Sequence, residues 1–180
     1  METTIVLHRI ETAGDSLLER LTPLYLEAFP PDERRDAGQL ARVIERRPRA
    51  HFHAILERDE PVGLLGWWEL REFYYLEHLA VFPHLRRRSI GARALQEIAR
   101  RLVGTRLLEV EPPVDDASAR RVAWYERNGY RVLDSDYVQP PYDGKGTGRP
   151  LWIMGNERPA RLPEFIERLK REVYRENEHV

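Results

Sequence analysis

Hydrophobic and polar positions recur with two different periods along this chain, and these periods predict a succession of strands and helices. Short runs rich in apolar, β-branched or aromatic residues are typical of strands, and they occur at Ile5–Ile10, Phe52–Arg58, Val62–Leu70, Phe73–Val81, Leu107–Val110, Tyr130–Leu133 and Leu151–Met154. Asp59-Glu60-Pro61 separates the second run from the third and predicts a tight turn between two hairpin strands. The order of elements is therefore mixed α/β with neighbouring hairpins.

Other stretches place apolar residues three or four positions apart, which predicts amphipathic helices. The first helix is expected from about Leu17, and Pro23 is expected to break it and restart it through Phe29. Further helices are expected over Asp32–Arg47, over Ile90–Leu102, from a cap at Asp115 or Asp116 to Gly129, and over Pro163–Glu178. The segment Asp134–Pro150 is long for a hairpin connection, so we interpret it as a candidate functional loop.

A length of 180 residues with 42% hydrophobic residues fits one ordinary domain with its own core. We expect a single domain over residues 1–180, with a core at 1–157 and a helical extension at 158–180. The apolar stripe of that extension is typical of a helix docked on the surface or of an oligomer contact. A homodimer is therefore one hypothesis.

Composition excludes several classes of chemistry and partner. The chain has no cysteine, so disulfides, thiolate metal sites and a cysteine nucleophile are ruled out. The 29 basic residues nearly cancel the 30 acidic ones, which argues against a nucleic-acid or anionic-membrane partner. No signal-peptide pattern or membrane-length apolar run is found, and we expect a cytoplasmic protein. No spacing of His, Asp and Glu predicts a metal site.

The segment 79–92 carries the most informative chemistry, because it joins a strand to a strongly amphipathic helix. Arg86-Arg87-Arg88 is followed by the small residues Ser89, Gly91 and Ala92. The unpaired backbone N–H groups and positive dipole end of a helix N-terminus suit phosphate, and small residues allow close approach. Two interpretations stand at this point: a pyrophosphate cradle, or an arginine-rich solvated corner. The spacing is neither that of a nucleotide P-loop nor that of a dinucleotide fingerprint.

A second segment at a suitable distance favours the cradle. The pattern Val81-x-Pro83-x-x-Arg86-x-x-Ser89-Ile90-Gly91, followed by Ser118-Ala119 and Tyr125-Glu126-Arg127-Asn128-Gly129-Tyr130, resembles the GNAT superfamily of N-acetyltransferases. The resemblance covers about 150 residues and implies a central, mixed, mostly antiparallel sheet of about six to seven strands flanked by helices. It also implies an acyltransferase that moves an acetyl group from acetyl-CoA to a primary amine in a ternary complex, without a metal.

The same resemblance implies which residues bind acetyl-CoA. They are Leu79, Ala80 and Val81 along the strand, Arg86, Arg87, Arg88, Ser89, Ile90, Gly91 and Ala92 around the pyrophosphate, and Ser118 and Tyr125 on the later helix. Ser89 and Ser118 depart from the family, which commonly has glycine and asparagine there. Ser89 is expected to preserve phosphate binding if the turn needs no positive φ.

Acetyl transfer needs a neutral amine, a polarised carbonyl and a stabilised leaving thiolate. Tyr125 matches the tyrosine that many family members use as the acid that protonates the leaving thiolate. The alternative is that Tyr125 is an aromatic side chain that serves only in packing. Glu77 lies in an apolar central strand, where burial would raise its pKa and make it a base; the alternative is a structural carboxylate paired with an arginine. His78 is a weaker candidate. The backbone N–H near Val81 would polarise the carbonyl.

The acceptor is a small-molecule or peptide amine whose identity the sequence leaves open. Its contacts are expected on the first two helices and on the 134–150 loop, through Asp32, Glu33, Asp36, Tyr137, Gln139, Tyr142 and Asp143, although loop charges are commonly just solvated. Trp67 and Trp68 should point to opposite sides of their strand. Two rivals stay open: a GNAT-fold module that binds acyl-CoA without turnover, and a nucleic-acid-binding domain that uses Arg86–Arg88.

Overall fold

The computed structural model describes residues 4–175 of the chain. Residues 1–3, and the last part of the helix predicted to end at Glu178, lie outside the described residues. The strands are β1 Ile5–Ile10, β2 Ala50–Glu57, β3 Glu60–Leu70, β4 Phe73–Val81, β5 Arg106–Val110, β6 Arg131–Asp134, β7 Val138–Gln139, β8 Arg149–Pro150 and β9 Trp152–Gly155. The α-helices are α1 Ser16–Ala28, α2 Ala37–Arg46, α3 Ile90–Arg101, α4 Asp116–Arg127 and α5 Leu162–Leu169.

Seven strands form one sheet, in the hydrogen-bonded order β1-β2-β3-β4-β5-β9-β6. The strand pairs β1/β2, β2/β3, β5/β9 and β6/β9 are antiparallel, whereas β4 and β5 are parallel. In the β4/β5 pair, Tyr74 lies opposite Arg106 and Leu76 lies opposite Leu108. The predicted mixed, mostly antiparallel sheet with flanking helices is therefore confirmed.

Pro23 lies inside α1 and does not break it, so the expected restart is wrong. A proline within a helix leaves the carbonyl four residues earlier without its usual donor. Here the turn is held by other contacts: the Thr22 hydroxyl donates to the Leu18 carbonyl at 2.8 Å, and Leu21 and Leu24 are buried on either side of Pro23. Tertiary packing of the apolar face outweighs the lost hydrogen bond.

The turn of the β2–β3 hairpin begins one residue earlier than expected, at Arg58 instead of Asp59. Arg58 and Asp59 occupy its tip with φ of 52° and 64°, and Glu60 and Pro61 already belong to β3. Two successive left-handed residues match the right-handed twist of the strands that they join. The hairpin is confirmed, although its turn residues were misplaced.

Tertiary contacts divide the described chain into two compact units. The first unit contains residues 4–68 and 77–101, and the second contains residues 69–76 and 102–175. β4 passes from the second unit to the first between Leu76 and Glu77. A single domain over residues 1–180 stays a prediction.

The core of the first unit lies between α1, α2 and strands β1 to β4. Its buried side chains are Ile10, Leu18, Leu21, Leu24, Tyr25, Leu40, Ile44, Phe52, Ala54, Leu64 and Ala80. Asp36 caps α2 by accepting from the backbone N–H of Gln39 at 2.8 Å, while the Gln39 side chain accepts from the Asp36 N–H at 3.0 Å. This capping box starts α2 after a 3-10 turn at Pro31–Glu33 and interrupts the predicted helix over Asp32–Arg47.

The second unit includes the C-terminal helix. The apolar stripe of α5 is buried within its own chain, and the Phe165 ring stacks on the Phe73 ring at 4.5 Å. A π-helical turn, Lys170–Tyr174, continues α5. The extension is thus a docked helix, and a homodimer stays a prediction. β7 and β8 form a two-stranded ladder inside the expected long loop. Among residues 4–175, none of the helices combines the length and apolar character needed to cross a membrane.

Candidate functional site

The end of β4 is held against β3 by an unusually close backbone approach. A Cβ on Gly63 would lie only 2.3 Å from the Ala80 carbonyl oxygen, and the Phe82 N–H donates to the Val62 carbonyl at 3.1 Å. Ala80 is buried, whereas Leu79 and Val81 are half-buried. β3 thus sets the position of the backbone groups that were predicted to contact acetyl-CoA along this strand.

The loop after β4 has a strained backbone that leads directly into α3. Pro83–Leu85 forms a 3-10 turn, and Arg87 and Ser89 follow with φ of 68° and 56°. The Ser89 carbonyl accepts the first helical hydrogen bond, from the Arg93 N–H at 3.0 Å. Ser89 was expected to preserve phosphate binding if the turn needs no positive φ. The turn does use positive φ, so that condition is not met. A non-glycine residue in this region costs about 1–2 kcal/mol.

The three arginines of the loop differ in what they contact. The Arg88 guanidinium donates to Glu57 at 2.9 Å, and Arg93 donates to the same carboxylate at 2.8 Å. Hydrogen bonding from Arg93, with the charge of Arg88, lowers the pKa of Glu57. Arg86 and Arg87 are exposed, and neither forms an ion pair within residues 4–175. Two positive charges beside the N-terminus of α3 are thus available to an anion.

Glu77 lies in a buried polar cluster of the first unit. Its carboxylate accepts from the Arg35 guanidinium at 2.6 Å and from the Trp68 indole N–H at 2.8 Å, and only 7% of its side chain is exposed. Arg35 also lies over the Trp68 ring at 5.4 Å. The Arg35 backbone N–H donates to the Tyr25 hydroxyl at 3.0 Å. The sequence interpretation missed Arg35, whose sole signal was an arginine amid the helix-prone, polar stretch after Pro31.

The pKa of Glu77 shifts opposite to our expectation. Burial by itself would raise this pKa, but the Arg35 charge and the hydrogen bonds from Arg35 and Trp68 outweigh it, and the pKa is lowered. The expected raised pKa was wrong because no local pattern signals an arginine 42 residues away. Burial lowers the pKa of the neighbouring His78 to about 4, so its ring is neutral near pH 7. This geometry favours the structural role of Glu77 over the base.

Ser118 and Tyr125 lie on α4, in the second unit. Asp115 caps this helix: its carboxylate accepts from the Ser118 N–H at 2.7 Å, and the Ser118 hydroxyl donates to it at 2.8 Å and accepts from the Asp115 N–H at 3.1 Å. The buried Ser118 hydroxyl is thus engaged within the capping box. Its predicted contact with acetyl-CoA would compete with those bonds.

Tyr125 is half-buried and packs edge-on against Trp124 and Tyr130, with ring centroids 4.9 Å and 6.0 Å away. Among the residues described, its hydroxyl makes no hydrogen bond. Burial raises the pKa of Tyr125 to about 12. The phenol is therefore protonated at neutral pH, which suits a proton donor and not a base.

A second, half-buried carboxylate, Glu109, was not singled out from the sequence. It receives hydrogen bonds from Tyr137, Gln139 and Tyr174, and burial raises its pKa despite them. The available signal was a charged residue within the apolar run Leu107-Leu108-Glu109-Val110 of β5. Two of the acceptor candidates in the long loop, Tyr137 and Gln139, thus meet at Glu109.

The other acceptor candidates have separate surroundings. Asp36 serves as the cap of α2, and Asp143 is exposed and accepts from the Lys145 N–H at 2.9 Å. Tyr142 contacts the Tyr174 ring edge-on at 5.0 Å. Trp68 bonds Glu77, whereas Trp67 stacks on His51 at 3.8 Å. Across residues 4–175, no three His, Asp or Glu side chains lie close enough to hold a metal ion together.

The chain is similar to known proteins in sequence and in fold. Residues 15–130 match the family model described as the acetyltransferase (GNAT) family. A solved protein from Bacteroides thetaiotaomicron, described as a GNAT-family acetyltransferase, is 31% identical, with a TM-score of 0.88 over 94% of this chain and 98% of that one. No curated protein matches the chain in sequence.

Two more distant structures share the fold alone. An acetyltransferase from Thermus thermophilus is 21% identical, with a TM-score of 0.63 over 86% of this chain and 97% of that one. A GNAT-family acetyltransferase from Elizabethkingia anophelis, solved with acetyl-CoA bound, is 15% identical, with a TM-score of 0.58 over 85% and 97%.

Proposed function

Because the chain belongs to the GNAT family of acetyltransferases, we propose that it transfers the acetyl group of acetyl-CoA to a primary amine by direct attack in a ternary complex. The observation that carries this function is the loop from β4 into α3. It combines the family spacing of Arg86, Ser89 and Gly91 with two exposed arginines that form no ion pair in the described chain. The acceptor is a small-molecule or peptide amine, and we propose a cytoplasmic location.

The residues present fit a diphosphate ester. The first backbone N–H groups of α3 have no acceptor within the helix and point along the positive end of its dipole. Arg86 and Arg87 add charge, while Glu57 already neutralises much of Arg88. We assign pyrophosphate binding to Arg86, Arg87 and the backbone of Ser89–Ala92, and contacts along the strand to Leu79–Val81. Bound acetyl-CoA would supply the activated acetyl group.

The chain's own groups then divide the work. The backbone N–H near Val81 would polarise the thioester carbonyl, because a fixed dipole costs no reorganisation when charge develops. Tyr125 would give its proton to the departing sulfur, consistent with a protonated phenol whose hydroxyl has no partner in the described chain. Glu77 is kept as a structural carboxylate that holds Arg35 and Trp68 together.

The alternative function is a non-catalytic module that binds acyl-CoA as a sensor. Two departures favour it: Ser89 strains the turn where the family commonly has glycine, and the Ser118 hydroxyl is engaged with Asp115. A nucleic-acid-binding domain has less support, because Arg88, one of its three arginines, is paired with Glu57.

Two measurements test the proposal. Calorimetry with CoA and acetyl-CoA tests the binding site directly. Thiol release from acetyl-CoA in the presence of an amine panel tests the chemistry, and the absence of cysteine means that a thiol reagent reports CoA alone. Binding with amine-dependent release supports the enzyme. Binding without release across the panel favours the sensor, and no binding at millimolar acetyl-CoA overturns both.

A further inference from the structure

Glu57 connects the central sheet to both sides of the turn that precedes α3. It is the last residue of β2, and its backbone is fixed by pairing with Ile5 of β1 and Glu60 of β3. Its carboxylate accepts from the Arg88 guanidinium at 2.9 Å and from the Arg93 guanidinium at 2.8 Å, through different oxygens. All of these residues belong to the first unit. We call Glu57, Arg88 and Arg93 the Glu57 clamp.

Packing against the core does not account for the conformation of the loop that contains this turn. Leu85 is half-buried, and the other residues from 83 to 89 are exposed; the next buried residue is Ile90, the first of α3. The loop and the start of β3 also line a cavity of about 400 Å³. Polar contacts must therefore hold the backbone of this loop.

The turn needs such contacts because two of its residues are strained. Arg87 and Ser89 have φ of 68° and 56°, and non-glycine residues keep such conformations only where their surroundings hold them. Arg93 supplies two holding contacts: its N–H donates to the Ser89 carbonyl at 3.0 Å, and its guanidinium donates to the Arg88 carbonyl at 3.3 Å. Glu57 fixes that guanidinium in a pair whose side chains are only 15% and 7% exposed, so water and salt screen it weakly.

Glu57 has two opposing effects on an anion bound at this turn. Its negative charge repels the anion, so charge alone predicts tighter binding when Glu57 is removed. Its hydrogen bonds keep the N–H groups of residues 89–92 in one arrangement, and binding weakens in proportion when that arrangement is populated less. The repulsion is the smaller effect, because the two arginines of the clamp leave a net positive charge beside the anion.

We infer that Glu57 is a positioning residue for the pyrophosphate of acetyl-CoA, and that it acts through Arg88 and Arg93 to hold the strained turn in its binding conformation; this inference rests on the proposed binding of acetyl-CoA. Arg88 then contributes by binding Glu57, while Arg86 and Arg87 contact the pyrophosphate. The pyrophosphate takes no part in bond exchange and is the same in acetyl-CoA and CoA. Loss of the clamp should therefore raise the KM for acetyl-CoA and leave kcat unchanged.

The first experiment compares Glu57→Gln with Glu97→Gln, a matched control on α3 whose carboxylate also binds two arginines, Arg100 and Arg101. Calorimetry measures the Kd of CoA, and thiol release measures kcat and the KM for acetyl-CoA. We expect Glu57→Gln to raise both Kd and KM roughly 10-fold at unchanged kcat, and Glu97→Gln to change none of the three. Unchanged or tighter CoA binding in Glu57→Gln would overturn the inference, since charge would then outweigh positioning.

A second measurement needs no ligand. The Arg93 amide donates to the Ser89 carbonyl, so its hydrogen exchange in the CoA-free chain reports how often the turn opens. Arg88→Gln removes one arm of the clamp and should speed this exchange as well as weaken CoA binding. Arg87→Gln, which removes an arginine outside the clamp, should weaken CoA binding and leave the exchange unchanged. Unchanged Arg93 exchange in Arg88→Gln would make Arg88 a direct ligand and overturn the inference.

Ser89→Gly tests the link between the clamp and the strain in the turn. Glycine has no Cβ penalty at positive φ, so it should improve CoA affinity more in Glu57→Gln than in the wild-type chain. An equal gain in both would contradict the inference. Should Glu57→Gln fail to fold, Arg88→Gln decides, because the Arg88 side chain is 53% exposed. Failure of the wild-type chain to bind CoA overturns the proposed function instead, and the Arg93 exchange still tests the clamp.

Discussion

Gly63 faces the carbonyl of Ala80 so closely that β3 and β4 leave no room for a side chain at this position: a Cβ would lie 2.3 Å from that oxygen and 3.2 Å from the Val81 Cα. The backbone that follows Ala80 is the segment proposed to contact the thioester. The absence of a side chain at Gly63 on β3 therefore allows the β4 backbone after Ala80 to take the position in which we propose that it contacts the thioester.

Gly63→Ala should therefore destabilise the chain and weaken acetyl-CoA binding together. The clash is with backbone, which cannot rotate away, so we expect a loss of about 1–3 kcal/mol in the free energy of unfolding. Urea unfolding and calorimetry with acetyl-CoA measure the two effects. Gly14→Ala is the control, because a Cβ there meets no atom within 4 Å. If Gly63→Ala keeps full acetyl-CoA affinity, the close approach of β3 to β4 does not position the acetyl-CoA site.

Ser89→Gly should stabilise the chain and tighten acetyl-CoA binding. Ser89 is held at φ 56°, where glycine has no Cβ penalty. The net gain is expected at up to about 1 kcal/mol, since the greater freedom of glycine in the unfolded chain offsets part of the relieved strain. Ser89→Ala keeps the Cβ and loses only the hydroxyl, so it should show no gain. A gain in Ser89→Ala equal to that in Ser89→Gly would mean that the hydroxyl, and not the backbone, limits the turn.

Arg35→Met should destabilise the chain strongly because it leaves the Glu77 carboxylate buried without its charge partner. Breaking such a pair costs about 3–5 kcal/mol. Adding Glu77→Gln to Arg35→Met should recover part of that loss, since no unpaired charge is then buried. A double-mutant cycle by urea unfolding measures the coupling. Additive losses in the double variant would show that the two side chains do not stabilise each other.

Tyr125→Phe should lower turnover far more than acetyl-CoA affinity. The substitution keeps the ring contacts with Trp124 and Tyr130 and removes only the proposed acid, so kcat should fall roughly 100-fold. Steady-state kinetics and calorimetry separate the two quantities. Tyr74→Phe is the control, because it removes the hydroxyl of a different tyrosine, which lies on β4. Unchanged turnover in Tyr125→Phe would remove the acid role and leave the fold assignment intact.

Acid should destabilise the chain well above the pH at which most carboxylates titrate. Burial, with the nearby charges of His51, Arg101 and Arg9, lowers the pKa of His53 to about 3, and its Nδ1 is buried without a hydrogen-bond partner in the described residues. The unfolded chain binds a proton at this histidine near pH 6.5 while the folded chain does not, so stability is lost as pH falls from about 6.5 toward 3.

The loss attributable to His53 between pH 7 and pH 5 should be on the order of 2 kcal/mol. Urea unfolding at the two pH values measures it. His53→Phe should reduce the difference, whereas His84→Gln, at an exposed position, should leave it in place. A wild-type chain equally stable at both pH values would contradict the low pKa of His53.

Local pattern was enough to locate much of the fold. β1 and β4 lie at the predicted residues, and α3 begins at the predicted Ile90. The segment from Val81 to Gly91 could be recognised because its chemistry depends on a strand, a loop and a helix N-terminus that are contiguous in the chain. Asp115 could be expected as a cap for the same reason: a cap acts within one turn of its helix.

Tertiary structure alone decided the roles of the buried charges. Glu77 has a lowered pKa because Arg35 lies beside it, and Glu109 has donors from residues 28 to 65 positions away. No periodicity records such pairings, since the pKa of a buried group depends on the groups that folding brings around it. Pro23 shows the same limit for the backbone, because packing of the neighbouring leucines kept intact a helix that local rules would end.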